Sequence, residues 1–233
     1  IASCLVGSEM CIRDRNKTEK FMFDGERLIQ HIIKQRYFEE EISNEVNLSY
    51  SDNQVTVTTD YLTLVYTLNS EGYASQCVYS LSSQNRIYQF SYSAEGYLTG
   101  IVENIDNREY SSTSLTYENG DITSISSKMN GLENKFIYEP GEESSTYHLP
   151  CLGLLEIHPL TFHIEALYAG LLGKDPRHFT IRSCPAGSND EKTVYSYGFD
   201  KKGNPSRMIC QTTYAGGQAS YYPYTRNISI SFE

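Results

Sequence analysis

The sequence predicts an all-β protein: an antiparallel hairpin-repeat meander forming a curved sheet or partial barrel, with one short helix near 163–172. Three observations carry this. The chain has 20 tyrosines and no tryptophan, and tyrosine suits half-buried pleated surfaces because its ring packs while its hydroxyl reaches water. Gly72, Gly96 and Gly120 are evenly spaced by 24 residues, which accommodates two strands and two turns per unit. Before each of them lies an alternating apolar pair, the pattern of a strand with one buried face.

The repeat is sharpest around Gly72, Gly96, Gly120 and a later copy at Gly203. The preceding pairs are Tyr66/Leu68, Phe90/Tyr92, Leu115/Tyr117 and Tyr197/Phe199. A short polar stretch ending in glycine then reads as a hairpin loop, the glycine supplying a positive φ. Three residues after the glycine stand Ser75, Thr99, Thr123 and Ser206. Apolar residues or proline flank them at Ala74/Cys77, Leu98/Ile101, Ile122/Ile125 and Pro205/Met208. Each flanking pair is three apart, so its members face opposite sides unless a bulge realigns them to one side.

Weaker copies extend the pattern. Phe21–Leu28 opens the same way, Leu48–Val57 is a hairpin around Asp52-Asn53, Phe136–Gly141 ends in a Pro-Gly turn, and Asn227–Phe232 is a final strand. Successive hairpins pair in order. The pattern breaks over residues 147–190. There Ile164, Leu167, Tyr168 and Leu171 share a helical face, Gly173 is a helix stop and Pro176 follows. This helix is expected to pack on the sheet or plug its concave side. Residues 185–192 form a polar loop before the last hairpin.

The string Cys4–Arg15 resembles a conceptual translation of a sequencing-library adapter. Residues 1–15 are therefore set aside as non-native and expected to be disordered or packed without purpose, leaving one domain over 16–233. Removing Cys4 and Cys11 from the six cysteines leaves Cys77, Cys151, Cys184 and Cys210. Their spacing fits no zinc pattern, and their pairing is left open.

With 29 acidic against 19 basic residues the net charge is −10. That balance disfavours phosphate backbones and anionic membrane surfaces. No nucleic acid is therefore expected as a partner. No apolar run is long enough for a membrane helix, so no transmembrane span is expected.

The histidines are His31, His148, His158, His163 and His178. Four of them, with Glu156 and Glu165, fall in one segment but lack metal-site spacing such as HExxH. No GxSxG elbow, P-loop or GxGxxG occurs. No catalytic, cofactor-binding or metal residue is assigned. The ligand-binding candidates are Tyr221, Tyr222 and Tyr224, clustered around Pro223, since exposed tyrosines stack on sugar rings or anchor a protein partner. The alternative for them is packing on the sheet.

Strings such as Phe90-Ser91-Tyr92-Ser93-Ala94-Glu95-Gly96-Tyr97-Leu98-Thr99-Gly100-Ile101 resemble the YD repeats of Rhs-type shell proteins. Most of residues 21–233 more closely resembles a family of secreted lipoproteins of gut Bacteroidetes, a domain of unknown function with a porin-like fold. The hairpins, the segment Ala169–Lys174 and the hairpin over residues 195–208 carry that likeness. It implies a curved sheet or partial barrel outside the cytoplasm, in the periplasm or at the outer membrane, held by a lipid on an N-terminal cysteine that cannot be placed here. The function expected is non-enzymatic binding of a glycan, peptide or protein partner. The alternatives are a structural shell module like the YD repeats and a hydrolase with a site near residues 147–180.

Overall fold

The structure, a computed structural model, describes residues 9–14, 17–81, 84–145, 158–188, 191–213 and 224–232. The strands are β1 (Glu9–Asp14), β2 (Lys17–Asp24), β3 (Arg27–Tyr37), β4 (Glu40–Tyr50), β5 (Gln54–Thr58), β6 (Thr63–Leu68), β7 (Ala74–Leu81) and β8 (Gln84–Tyr92). They continue as β9 (Leu98–Ile105), β10 (Arg108–Glu118), β11 (Asp121–Met129), β12 (Leu132–Ser144), β13 (His178–Pro185), β14 (Lys192–Phe199), β15 (Pro205–Thr213) and β16 (Tyr224–Phe232).

From β2 to β16 every strand pairs antiparallel with its predecessor, as the hairpin repeat predicts. β1 lies between β16 and β2 and closes the ring into a barrel. Residues 9–14, expected to be disordered or packed without purpose, form a strand. In the backbone register Met10 and Ile12 pair with Phe232 and Ile230.

The glycines behave as predicted. Gly72, Gly96, Gly120 and Gly203 all have positive φ between 84° and 90°. Three of the loops are copies of one another. In each, the residue three before the glycine (Asn69, Ser93 or Asp200) accepts backbone N–H bonds at its side-chain oxygen from the residues two and four further on. The loop around Gly120 is instead a tight Asn119-Gly120 turn, with φ of 54° and 86°.

The three-residue spacing after the glycine is resolved by a bulge. The register slips at Thr67/Leu68, Ser91/Tyr92, Thr116/Tyr117 and Gly198/Phe199. The extra residue in each case is the repeat's Ser or Thr. Hydroxyls of Ser75, Thr123 and Ser206 donate back to the carbonyls of Thr67, Thr116 and Gly198 at 3.0, 3.2 and 3.3 Å. Ala74 with Cys77, Leu98 with Ile101, and Ile122 with Ile125 therefore all point inward and are buried.

The expected turn after Tyr138 is absent. Pro140-Gly141 is no turn, because β12 runs through it as an irregular stretch paired with β13. A Cβ on Gly141 would meet Ile181 Cγ2 at 2.6 Å, so the glycine permits a close strand approach.

The apolar core fills the barrel interior. Outward positions are polar on three strands, with Ser43, Glu45, Asn47 and Ser49 on β4, Ser112, Ser114 and Thr116 on β10, and Ser124, Ser126 and Lys128 on β11, whereas Val65, Val78 and Ile87 stand side by side on the outer face of β6 to β8. The helix is shorter than predicted. A 3₁₀ turn at Leu160–Phe162 leads into α1 (Ile164–Tyr168), and turns follow. Gly170, at φ 69°, ends the helix before Leu171 joins it. Tyr168 packs on Phe21 of β2, with ring centroids 4.0 Å apart, so this segment plugs the barrel.

Candidate functional site

Residues 158–177 cross the barrel and are pinned at each step. At the near end, the glycine-loop end, Ala74 N–H donates to Leu171 O, Lys174 N–H to Gly96 O and Arg177 N–H to Gly120 O, at 2.7, 2.9 and 3.0 Å. The strap thus bonds to the residues of successive hairpin tips and seals that end. A Cβ on Gly173 would lie 2.6 Å from Gly96 O, so only glycine allows this approach. The gap left beside the strap holds about 20 Å³, room for about one water.

Midway, His163 is fully buried. Its Nδ1 is 2.7 Å from the Tyr66 hydroxyl, and the edges of Tyr88, Phe90 and Phe162 enclose the ring. Burial pushes its pKa down to about 3, so it is neutral. His31 of β3, also buried, stacks on Phe21 at 4.1 Å and meets Glu165 of α1.

Near the far end stands Glu103 on β9, with no solvent exposure. Arg86 Nη1 and the Tyr88 hydroxyl donate to its Oε1, both at 3.1 Å. The Ser111 hydroxyl and His158 Nε2 donate to its Oε2, both at 2.8 Å. Burial alone would raise the carboxyl, but the hydrogen bonds from His158, Ser111 and Tyr88 outweigh it and hold the pKa below the ordinary value. Four donors occupy its lone-pair directions, which leaves no acceptor for a substrate proton.

Ser111 and Glu103 also meet the same nitrogen of His158, the serine at 3.4 Å. A catalytic relay needs the acid and the nucleophile on opposite ring nitrogens. This cluster is an anchor for the plug. The hydroxyls of Thr113 and Ser127 strengthen it by donating to the His158 carbonyl, both at 3.3 Å.

Beside the anchor a cavity of about 290 Å³ lies toward the end away from the glycine loops. Met129 at the end of β11, Asn134 early in β12 and Thr193 early in β14 set its height. Phe136, Tyr138 and Tyr195 provide aromatic wall, and Ser127, Asn134, Ser183 and His158 provide polar groups. Ser183 Oγ and Tyr195 OH share a hydrogen bond of 3.1 Å. The lining carries no side chain with a permanent charge.

Of the sequence-chosen tyrosines, only Tyr224 falls within the described residues. Tyr221 and Tyr222 lie outside the described residues, as do His148 and Cys151. Tyr224 begins β16 with its backbone opposite Thr212. The remaining histidines do not converge: His158 joins Glu103, His163 joins Tyr66, and His178 Nδ1 meets Asp121 at 2.8 Å. Among the described residues no cluster of His, Cys, Asp and Glu suits a metal. Cys77, Cys184 and Cys210 are not joined to one another by disulfides.

Sequence reasoning missed Glu103, although a signal was present. It lies seven residues after Gly96, in the inward row that holds Tyr79, Ser127 and Cys210 in the other copies. A carboxylate on that face marks a buried network.

The barrel closed by strands of this order matches known proteins. The model of a family described as a domain of unknown function (DUF4595) with porin-like fold matches residues 16–207. The chain belongs to this family. The DUF4595 chain is also similar to a solved structure, the crystal structure of a porin-like protein from Bacteroides uniformis ATCC 8492. They share 23% identity over 99% of each chain, with a TM-score of 0.89. No curated protein matches. The DUF4595 match begins one residue after the adapter-like segment.

Proposed function

We propose that this DUF4595 domain is a non-enzymatic binding domain, displayed at the cell surface or in the periplasm as a lipoprotein, that takes a small polar group of a glycan, peptide or protein partner into its far-end cavity. The observation that carries this is the cavity itself. It combines aromatic wall with hydroxyl and amide groups, the composition of a pocket that orients a polar ligand, and its size is at the lower end for such sites. The extracytoplasmic placement rests on the family resemblance and on the source of the similar crystal structure.

Two features favour binding over conduction. The core and the plug occupy the interior beside the cavity, and the outward faces of β4, β10 and β11 carry Ser, Thr, Asn, Glu and Lys, which interrupt the continuous apolar band a lipid-facing barrel requires. The saturated Glu103 speaks for a fixed scaffold rather than acid–base chemistry. A second reading, a structural module, is favoured by the strap that seals the near end.

Glycan-array and pull-down binding, with the full chain and with the same chain carrying Ser183→Phe, separate the two. A binding role predicts a saturable ligand lost on filling the cavity. Binding unaffected by Ser183→Phe, with the fold retained by circular dichroism, excludes the cavity as its site.

A further inference from the structure

The β3–β4 hairpin stands above its neighbour on one side. β4 pairs with β3 all the way from Asn47 to Glu40. Its pairing with β5 covers only Asn47–Tyr50, because β5 stops at Thr58 and β6 begins at Thr63. Among the described residues, one edge of the stretch from Glu40 to Val46 therefore has no strand beside it. Glu40 through Glu45 are all exposed. At about 3.4 Å per residue this free edge runs about 20 Å, and the missing upper parts of β5 and β6 leave the width of about two strands.

An unpaired edge presents a row of N–H and C=O groups that templates another strand. Proteins blunt such edges with charge, and here the charge has one sign. Glu39, Glu40, Glu41 and Glu45 line the hairpin, and Asp60 stands in the β5–β6 connection below it. Lys34, which meets Glu41 at 3.7 Å, and Arg36 sit on the far strand β3. Glu41 and Glu45 share the outward face, while Ile42 and Val46 share the inward one.

The hairpin tip adds an anchor. Phe38 is 100% exposed at a φ of 55°, a conformation unfavourable for a bulky side chain. The comparable turns use Asp106-Asn107, Asn119-Gly120 and Asn130-Gly131, which tolerate it. Tyr61, 86% exposed, stands at the next tip on the same end.

We propose that the free edge of β4 over Glu40–Val46 is a strand-addition site for an extended basic segment of a partner protein, separate from the cavity. Backbone pairing supplies the attachment. Lysine or arginine at alternate positions of the partner faces Glu41 and Glu45, with apolar residues between them on the side of Ile42. Opposite charges directly across a strand pair stabilise it, and like charges oppose it. A second copy of this chain offers the same acidic edge and is repelled.

A fluorescent peptide alternating lysine and valine, about eight residues long to match the edge, tests this by anisotropy with the full chain. Saturable binding is expected, with slowed hydrogen exchange confined to residues 40–46. Combining Glu41→Lys with Glu45→Lys, or N-methylating alternate peptide amides, is expected to weaken binding by about tenfold or more. No saturable binding, equal binding by the double variant, protection mapping elsewhere, or sedimentation showing self-association through this edge overturns it.

Discussion

Glu165 of α1 lies 2.8 Å from Nδ1 of the fully buried His31 on β3, and Glu19 of β2 flanks the other ring nitrogen at 3.6 Å. This contact ties the plug to the barrel wall. Burial alone would lower the His31 pKa, but hydrogen bonds and charge from Glu165 and Glu19 outweigh it and raise the value above 6.5. Glu19 is shifted the other way: burial would raise it, yet His31 and Lys17 hold it below 4.5.

Stability follows from these signs. The contribution of His31 is complete below pH 6.5, its ordinary value, and is lost as pH rises through the raised value. The contribution of Glu19 is complete above pH 4.5 and is lost as pH falls through its lowered one. Urea midpoints across pH are expected to plateau between these limits. Glu165→Gln is expected to cost about 3 kcal/mol at the plateau, as for a buried pair that loses one partner, and to flatten the alkaline decline. An unchanged alkaline slope in that variant removes His31 as its source.

Glu103 makes a parallel prediction at the other end of the plug. Its pKa is held below 4.5, so its stabilisation is present above that value and disappears as pH falls through the lowered one. Glu103→Gln keeps the shape but leaves Arg86 and the donors on Oε2 with a neutral partner. A loss of about 3 kcal/mol is expected near neutral pH, with a shallower acid limb in denaturant titrations. A loss confined to a few tenths assigns the network little weight in folding.

Two glycines with nearly equal φ should respond differently to alanine. A Cβ added to Gly72, at φ 86°, would have no atom within 4 Å, whereas the same atom on Gly173, at φ 89°, meets backbone Gly96 O at 2.6 Å and Leu98 N at 3.1 Å. Gly72→Ala is expected to cost about 1–2 kcal/mol from conformation alone. Gly173→Ala adds displacement of the strap, so its Tm should fall at least twice as far, with faster hydrogen exchange at Lys174. Equal losses in thermal unfolding show that the strap does not hold the near end closed.

Most of the wall was legible because its signals are local. A glycine at positive φ, an alternating pair before it and a hydroxyl after it each act within a few residues, and together they specify the meander, the loops and the inward rows. The same local view left the bulge as one of two options, since only pairing with the previous strand shows that Ser75 or Thr123 is the extra residue. Pro140-Gly141 misled because a turn dipeptide can also serve a close strand approach. The cavity was not legible. Ser127, Asn134, Ser183 and Thr193 come from four strands, and ordinary hydroxyls and amides gain meaning only when closure brings them together. Glu103 was readable in principle, as a charge on an apolar row.

Cys77 provides a chemical probe of that closure. It sits inside the barrel with no solvent exposure, and burial pushes its thiol up to about 12. At pH 8 only about one part in ten thousand would be thiolate, and thiolate is the reacting form. Cys184, by contrast, is partly exposed on β13. Brief alkylation of the folded chain, read by peptide mass mapping, is therefore expected to modify Cys184 well before Cys77, and denaturant should abolish the difference. Similar rates in the folded chain mean that the interior beside Tyr66 opens on the timescale of labelling, and a sealed core can no longer be assumed there.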